Sequence, residues 1–85
     1  MEKVIDYTTK GTCSRAIHIV LEDDKVKEVQ YMGGCSGNTQ GVAALVAGMK
    51  ITDAIARLRG IRCGMKNTSC PDQLAIALEN ALKAD

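Results

Sequence analysis

The chain of 85 residues contains no Phe and no Trp, and its only aromatic side chains are Tyr7 and Tyr31. Large rings usually dominate the burial energy of a small core, and here they are missing. The interleaved aromatics of a single-strand nucleic-acid platform are missing too. Charge of one sign is also absent. Eleven Lys and Arg stand against ten Asp and Glu, a formal net charge of +1, so no polyanionic partner is implied and no nucleic acid is expected. His18 is the single histidine. It falls mid-strand and reads as an ordinary strand residue rather than a ligand, which disfavours Cys–His hydrolase chemistry. No apolar run is long enough to cross a membrane, and no charged-then-apolar leader opens the chain, so a soluble, cytoplasmic protein is expected. The C-x2-C knuckle of a zinc ribbon is lacking.

The size allows one domain over residues 1–85 and excludes a doubly wound nucleotide fold or a barrel enzyme. A chain this short buries only about 60–65% of the surface its unfolded form exposes. Ten of its apolar residues are alanine. At about 25 cal/mol per Å² such a core is marginal against chain entropy, and a metal or a partner subunit would help it.

What the sequence does have is four cysteines: Cys13, Cys35, Cys63 and Cys70. Structural disulfides are rare in a reducing cytosol, where this count more often means a metal or a reactive thiol. Taken singly, each reads equally as a small buried hydrophobe, but their settings argue otherwise. Cys35 lies in Gly33-Gly34-Cys35-Ser36-Gly37-Asn38, a stretch that suits close approach to an ion or ligand. Cys70 precedes Pro71-Asp72 and an amphipathic run, which is how a helix opens. A thiol at a helix N-terminus has its thiolate favoured, the form that binds metal. Cys13 follows Gly11-Thr12 at the start of a strand pattern, and Cys63 lies between Gly60 and Gly64. All four thus fall in loops or at junctions, and convergence at one site is favoured over four unrelated fillers.

Periodicity supplies the frame. Val4 to Thr8 is a short strand, and Thr9 to Thr12 turns the chain. Ile17, Ile19 and Leu21 alternate with Ala16, His18 and Val20, giving a strand with one strongly apolar face. Glu22 to Lys25 is a tight polar turn, and Val26 to Met32 returns as a third strand. Val42, Leu45, Val46 and Met49 then fall at helical spacing and read as a core stripe, which Gly48 helps to terminate. Thr52 reads as the N-cap of a second helix with Ile51, Ile55 and Leu58 inward, and Leu74, Leu78, Ala81 and Leu82 mark a last helix from Pro71. Strands followed by helices predict an α+β fold, a three-stranded antiparallel meander with about three helices packed on it. Arg57, Arg59, Arg62 and Lys66, the densest basic cluster, read as a solvated face offset by acids elsewhere.

The pentapeptide Thr68-Ser69-Cys70-Pro71-Asp72 is the signature for which the TSCPD domain family is named. The chain resembles that family also at Gly11-Thr12-Cys13-Ser14, at Gly33-Gly34-Cys35-Ser36-Gly37-Asn38 and at Gly60-Ile61-Arg62-Cys63. The resemblance implies a domain that occurs alone or appended to ribonucleotide reductases. More distantly, the order of cysteines, hairpin and helices is similar to U-type iron–sulfur cluster assembly scaffolds. That likeness implies a scaffold-like fold with Cys13, Cys35 and Cys70 as carried-over ligands of a cluster or zinc ion. Ser14-Arg15 stands where those scaffolds have Gly-Asp, so their exchangeable fourth ligand is missing, and Ser69 replaces a histidine. Cys63 is an addition.

The expectation is therefore a domain that holds one zinc ion or iron–sulfur cluster through Cys13, Cys35, Cys63 and Cys70, since four thiolates suit either. Its expected role is accessory, structural or scaffold-like. The expected partner is another protein, by resemblance ribonucleotide reductase or the sulfur-transfer machinery. The rival expectation is a thiol relay for sulfur transfer or disulfide exchange, with Cys70 as nucleophile and Cys63 as its partner.

Overall fold

The turn at Asp23 and Asp24 organises the sheet. Glu22 and Lys25 pair across it, and Asp23 holds φ at +55°, a left-handed conformation that Asp tolerates better than most residues. On either side run β2 (Ser14–Glu22) and β3 (Lys25–Gly33), and β1 (Glu2–Thr8) pairs antiparallel with β2. The sheet order is β1-β2-β3. The computed structural model describes residues 2–12, 14–33, 36–62 and 64–83. Within them three helices follow the strands: α1 (Ser36–Val46), α2 (Ile51–Leu58) and α3 (Cys70–Lys83). The arrangement is the α+β meander with helices that the periodicity predicts.

Alternation in β2 sends Ile17, Ile19 and Leu21 to one face, where they are buried with Val26 and Val29 of β3. Leu74, Ala77, Leu78 and Ala81 of α3 close over them, joined by Val46 of α1 and by Ile51 and Ala54 of α2. Residue 18 therefore points to the opposite face. There His18 Nδ1 lies 2.7 Å from Asp6 Oδ1 on the neighbouring strand, and Lys27 pairs with Glu2. The connection between α1 and α2 is clipped to the hairpin by three backbone hydrogen bonds. Gly48 N–H donates to Val26 O (2.7 Å), Val26 N–H to Met49 O (2.9 Å) and Ile51 N–H to Asp24 O (2.8 Å). Gly48, at φ +87°, makes the reversal after α1 possible at no steric cost.

Three expectations about the helices are corrected. Of the stripe expected in and after α1, Val46 is buried and Val42 and Met49 pack against the core, but Leu45 does not, and Thr39 and Ala43 face inward instead. Leu45 consequently lies 77% exposed. It lines a shallow apolar groove of about 220 Å³ with Val42, Val46, Met49, Arg57 and Leu58. Helix α2 starts at Ile51 with Lys50 at the N-cap and no side-chain cap, so Thr52 is inside the first turn. Helix α3 begins at Cys70 rather than Pro71, and Leu82 is largely exposed.

Candidate functional site

Helix α3 opens on a capping arrangement built by the pentapeptide. Ser69 O accepts the first helical bond, from Gln73 N–H (2.8 Å), and Ser69 Oγ accepts from Asp72 N–H (3.1 Å). Ser69 is thus the N-cap, satisfying one of the orphan donors of the first turn. Its hydroxyl donates in turn to Ile61 O (2.6 Å). Pro71 sits where a missing N–H costs nothing. Cys70 is the first residue of the helix and is buried, 6% exposed.

The Asp72 carboxylate does not fold back on the N-cap as in a reciprocal capping box. It turns outward to gather the preceding loop. Oδ1 accepts from Gly60 N–H (2.6 Å) and from Arg59 Nη1 (3.0 Å), and Oδ2 from the Thr68 hydroxyl (2.5 Å). Burial pushes this carboxyl up, but the bonds from Thr68, Gly60 and Arg59 outweigh it and hold it below the usual carboxylate range. Arg59 also reaches Glu79 on α3 (2.7 Å). One member of the expected basic cluster is therefore occupied in joining α2 to α3.

A second set of bonds brings the turn between β1 and β2 to the same place. Gln73 Oε1 accepts from Lys10 N–H (3.0 Å), and Gln73 Nε2 donates to Thr68 Oγ1 (3.0 Å). Gly11, at φ +74°, lies so close that an added Cβ would meet Thr68 Cγ2 at 3.0 Å. Thr9 Oγ1 donates to Ser14 O (2.5 Å), and Thr12 Oγ1 is 2.9 Å from Ser14 Oγ. The Ser14 hydroxyl is in turn 3.2 Å from Cys70 Sγ. From β3, the half-buried Tyr31 donates its hydroxyl to Cys70 O (2.9 Å). Burial, followed by the charge of a neighbouring Cys70 thiolate, pushes the Tyr31 hydroxyl well above its ordinary range. Among the described residues no buried side-chain nitrogen or oxygen lacks a partner.

Of the four expected ligands, Cys70 is described, whereas Cys13, Cys35 and Cys63 lie outside the described residues. Described neighbours of those three reach Cys70 directly or through one intervening residue. Ser14 follows Cys13 and touches the Cys70 sulfur. Gly33, two positions before Cys35, is the register partner of Ser14. Ile61, two before Cys63, takes the hydroxyl of Ser69 beside Cys70. Among the described residues no group of three His, Cys, Asp or Glu side chains is arranged to hold a metal. His18 with Asp6 is on the far face of the sheet, away from Cys70.

The model of the TSCPD domain family matches residues 1–82. The chain belongs to the TSCPD family. Comparison with curated proteins and with solved structures gave no match. In this TSCPD domain the naming pentapeptide is the structural centre of the site. Thr68, Ser69 and Asp72 bind two loops to the helix, and their bonds present Cys70 beside Ser14. Sequence reasoning missed Tyr31, whose only signal was aromatic scarcity, and Gln73, which gave none. Thr12 and Ser14 stood inside a quoted motif, but their hydroxyls drew no notice beside Cys13.

Among the described residues no helix is long and apolar enough to cross a membrane.

Proposed function

We propose that this TSCPD domain holds one zinc ion or one iron–sulfur cluster through Cys13, Cys35, Cys63 and Cys70, in an accessory, structural or scaffold role. The observation that carries this reading is that Ser14, next to Cys13, touches the Cys70 sulfur, while Gly33 and Ile61, each two positions before another cysteine, contact Ser14 and Ser69. The donor set fits the group: four thiols are present, and Cys70 opens a helix with a hydroxyl against its sulfur. Sulfur at a helix N-terminus is favoured as thiolate, the ligating form. Four thiolates also make a closed site, which suits stable retention better than rapid hand-off. A link to ribonucleotide reduction, with a reductase or the sulfur-transfer machinery as partner, rests on the family resemblance alone. The thiol-relay reading needs an exposed attacking sulfur, and the burial of Cys70 disfavours it.

Protein purified without oxygen or chelator tests the proposal. One zinc per chain with no visible absorbance, or iron with acid-labile sulfide and a brown colour, is the expected result. Cys70→Ser should then lower metal content and melting temperature together, since structural zinc contributes ~10 kcal/mol or more to small folds. Wild-type protein that holds neither metal, and takes up neither on reconstitution, overturns it.

A further inference from the structure

The hydroxyl group of Ser14 has an environment unlike that of an ordinary buried serine. The residue is 4% exposed, and its hydroxyl lies between Thr12 Oγ1 at 2.9 Å and Cys70 Sγ at 3.2 Å. Its backbone is held independently. The Ser14 carbonyl accepts from Thr9 Oγ1 (2.5 Å), and the neighbouring Arg15 O accepts from Thr9 N–H (3.1 Å). Gly33 stands opposite on β3. The strand is held in place without the Ser14 hydroxyl, by two other hydrogen bonds and the pairing with Gly33. What Ser14 contributes is a hydroxyl within hydrogen-bond distance of the sulfur.

We infer that Ser14 is a positioning residue for the metal site: it donates its hydroxyl to the Cys70 sulfur, with Thr12 orienting that hydroxyl, and thereby sets how tightly the thiolate ligand set binds its metal. The inference rests on the four-cysteine reading above. A divalent ion held by four thiolates would leave an excess of two negative charges on sulfur, which hydrogen bonds from outside the ligand set would stabilise. At Cys70 the hydroxyls of Tyr31 and Ser14 are distinct in task. Tyr31 donates to the carbonyl of Cys70 and so holds the backbone, whereas the Ser14 hydroxyl lies against the sulfur itself. A polar group in this role acts through the ligand and typically changes metal affinity by about 10–100-fold when removed.

The test is Zn²⁺ affinity, measured by competition with a chromogenic chelator, for wild type and for Ser14→Ala, Ser14→Thr and Thr12→Val, alongside the melting temperature of each metal-free protein. The same proteins loaded with Co²⁺ report the thiolate-to-metal charge-transfer bands. The expected result is Zn²⁺ binding weakened roughly tenfold or more by Ser14→Ala, a smaller loss in the same direction for Thr12→Val, and near-wild-type affinity for Ser14→Thr. The charge-transfer bands shift in the first two variants only. Should Ser14→Ala fail to fold, Thr12→Val, which keeps the shape and removes the orienting hydroxyl, decides the matter. Equal Zn²⁺ affinity and unshifted bands in the folded variants overturn the inference and leave the four-cysteine reading standing. A wild-type protein that takes up neither Zn²⁺ nor Co²⁺ overturns the inference, and one that also assembles no iron–sulfur cluster overturns the four-cysteine reading with it.

Discussion

Asp72 and Gly60 are joined by a 2.6 Å hydrogen bond from backbone N–H to carboxylate, which ties the end of α2 to the start of α3 across twelve positions. The same carboxylate collects Thr68 and Arg59, so one buried side chain shapes the loop that carries Cys63 in sequence.

Asp72→Asn should destabilise the domain by about 2 kcal/mol, since hydrogen bonds to a buried charged acceptor are lost or reversed. The loss depends on pH. The folded carboxyl lies below its usual range, so wild-type Asp72 contributes stability that is present above the unfolded pKa of about 3.9 and lost as pH falls through the lower folded value. Denaturant melts at pH 7 and at successively lower pH should therefore show the gap between variant and wild type narrowing below about pH 4. A gap that does not change with pH would remove the charge from the account.

Gly11→Ala should cost about 1–2 kcal/mol. The position holds φ +74°, and the new methyl meets Thr68 Cγ2 at 3.0 Å. Because Thr68 also bonds Asp72 and Gln73, the shift should be felt at the site. Chemical-shift changes on α3 would check this. A thermal melt indistinguishable from wild type would mean that the turn is not packed as described.

Leu78 and Leu45 make a matched pair. Leu78 is fully buried and Leu45 largely exposed. Truncation of the first to Ala should cost about 2–5 kcal/mol, and truncation of the second less than about 0.5 kcal/mol. Equilibrium unfolding in urea reads both, and comparable losses at the two sites would contradict the observed face of α1.

Tyr31→Phe removes the hydroxyl that holds Cys70 O and should cost about 1 kcal/mol, since the carbonyl loses its partner. The ring stays in place, so the sheet should keep its amide exchange pattern. Faster exchange confined to the first turn of α3 is the expected signature.

How far the sequence reaches can be judged residue by residue. The inward line Ile17, Ile19 and Leu21 is legible because a strand alternates its side chains whatever surrounds it. The hairpin at Asp23 and Asp24 and the end of α1 at Gly48 are legible for the same reason: turn chemistry is local. Leu45 is not, because Ala43 and Leu45 both flank the line of Val42 and Val46 on the helix, and only packing against the sheet decides which of them faces inward. Within the site, Cys70 at a helix start could be foreseen from Pro71 and Asp72. The hydroxyl of Ser14 against its sulfur could not, since 56 positions separate the two.

The amino-acid sequence by itself determined the α+β order of elements, the apolar face of the sheet and the membership of the TSCPD family, since periodicity, turn residues and short motifs act over a few neighbouring positions. Only the tertiary structure decided what the motif residues do. Thr68, Ser69 and Asp72 act as fasteners, Gln73 links two loops, and Ser14 meets Cys70. Each of these depends on a contact between segments far apart in the chain, which forms once α3 closes over the sheet and has no local pattern to announce it.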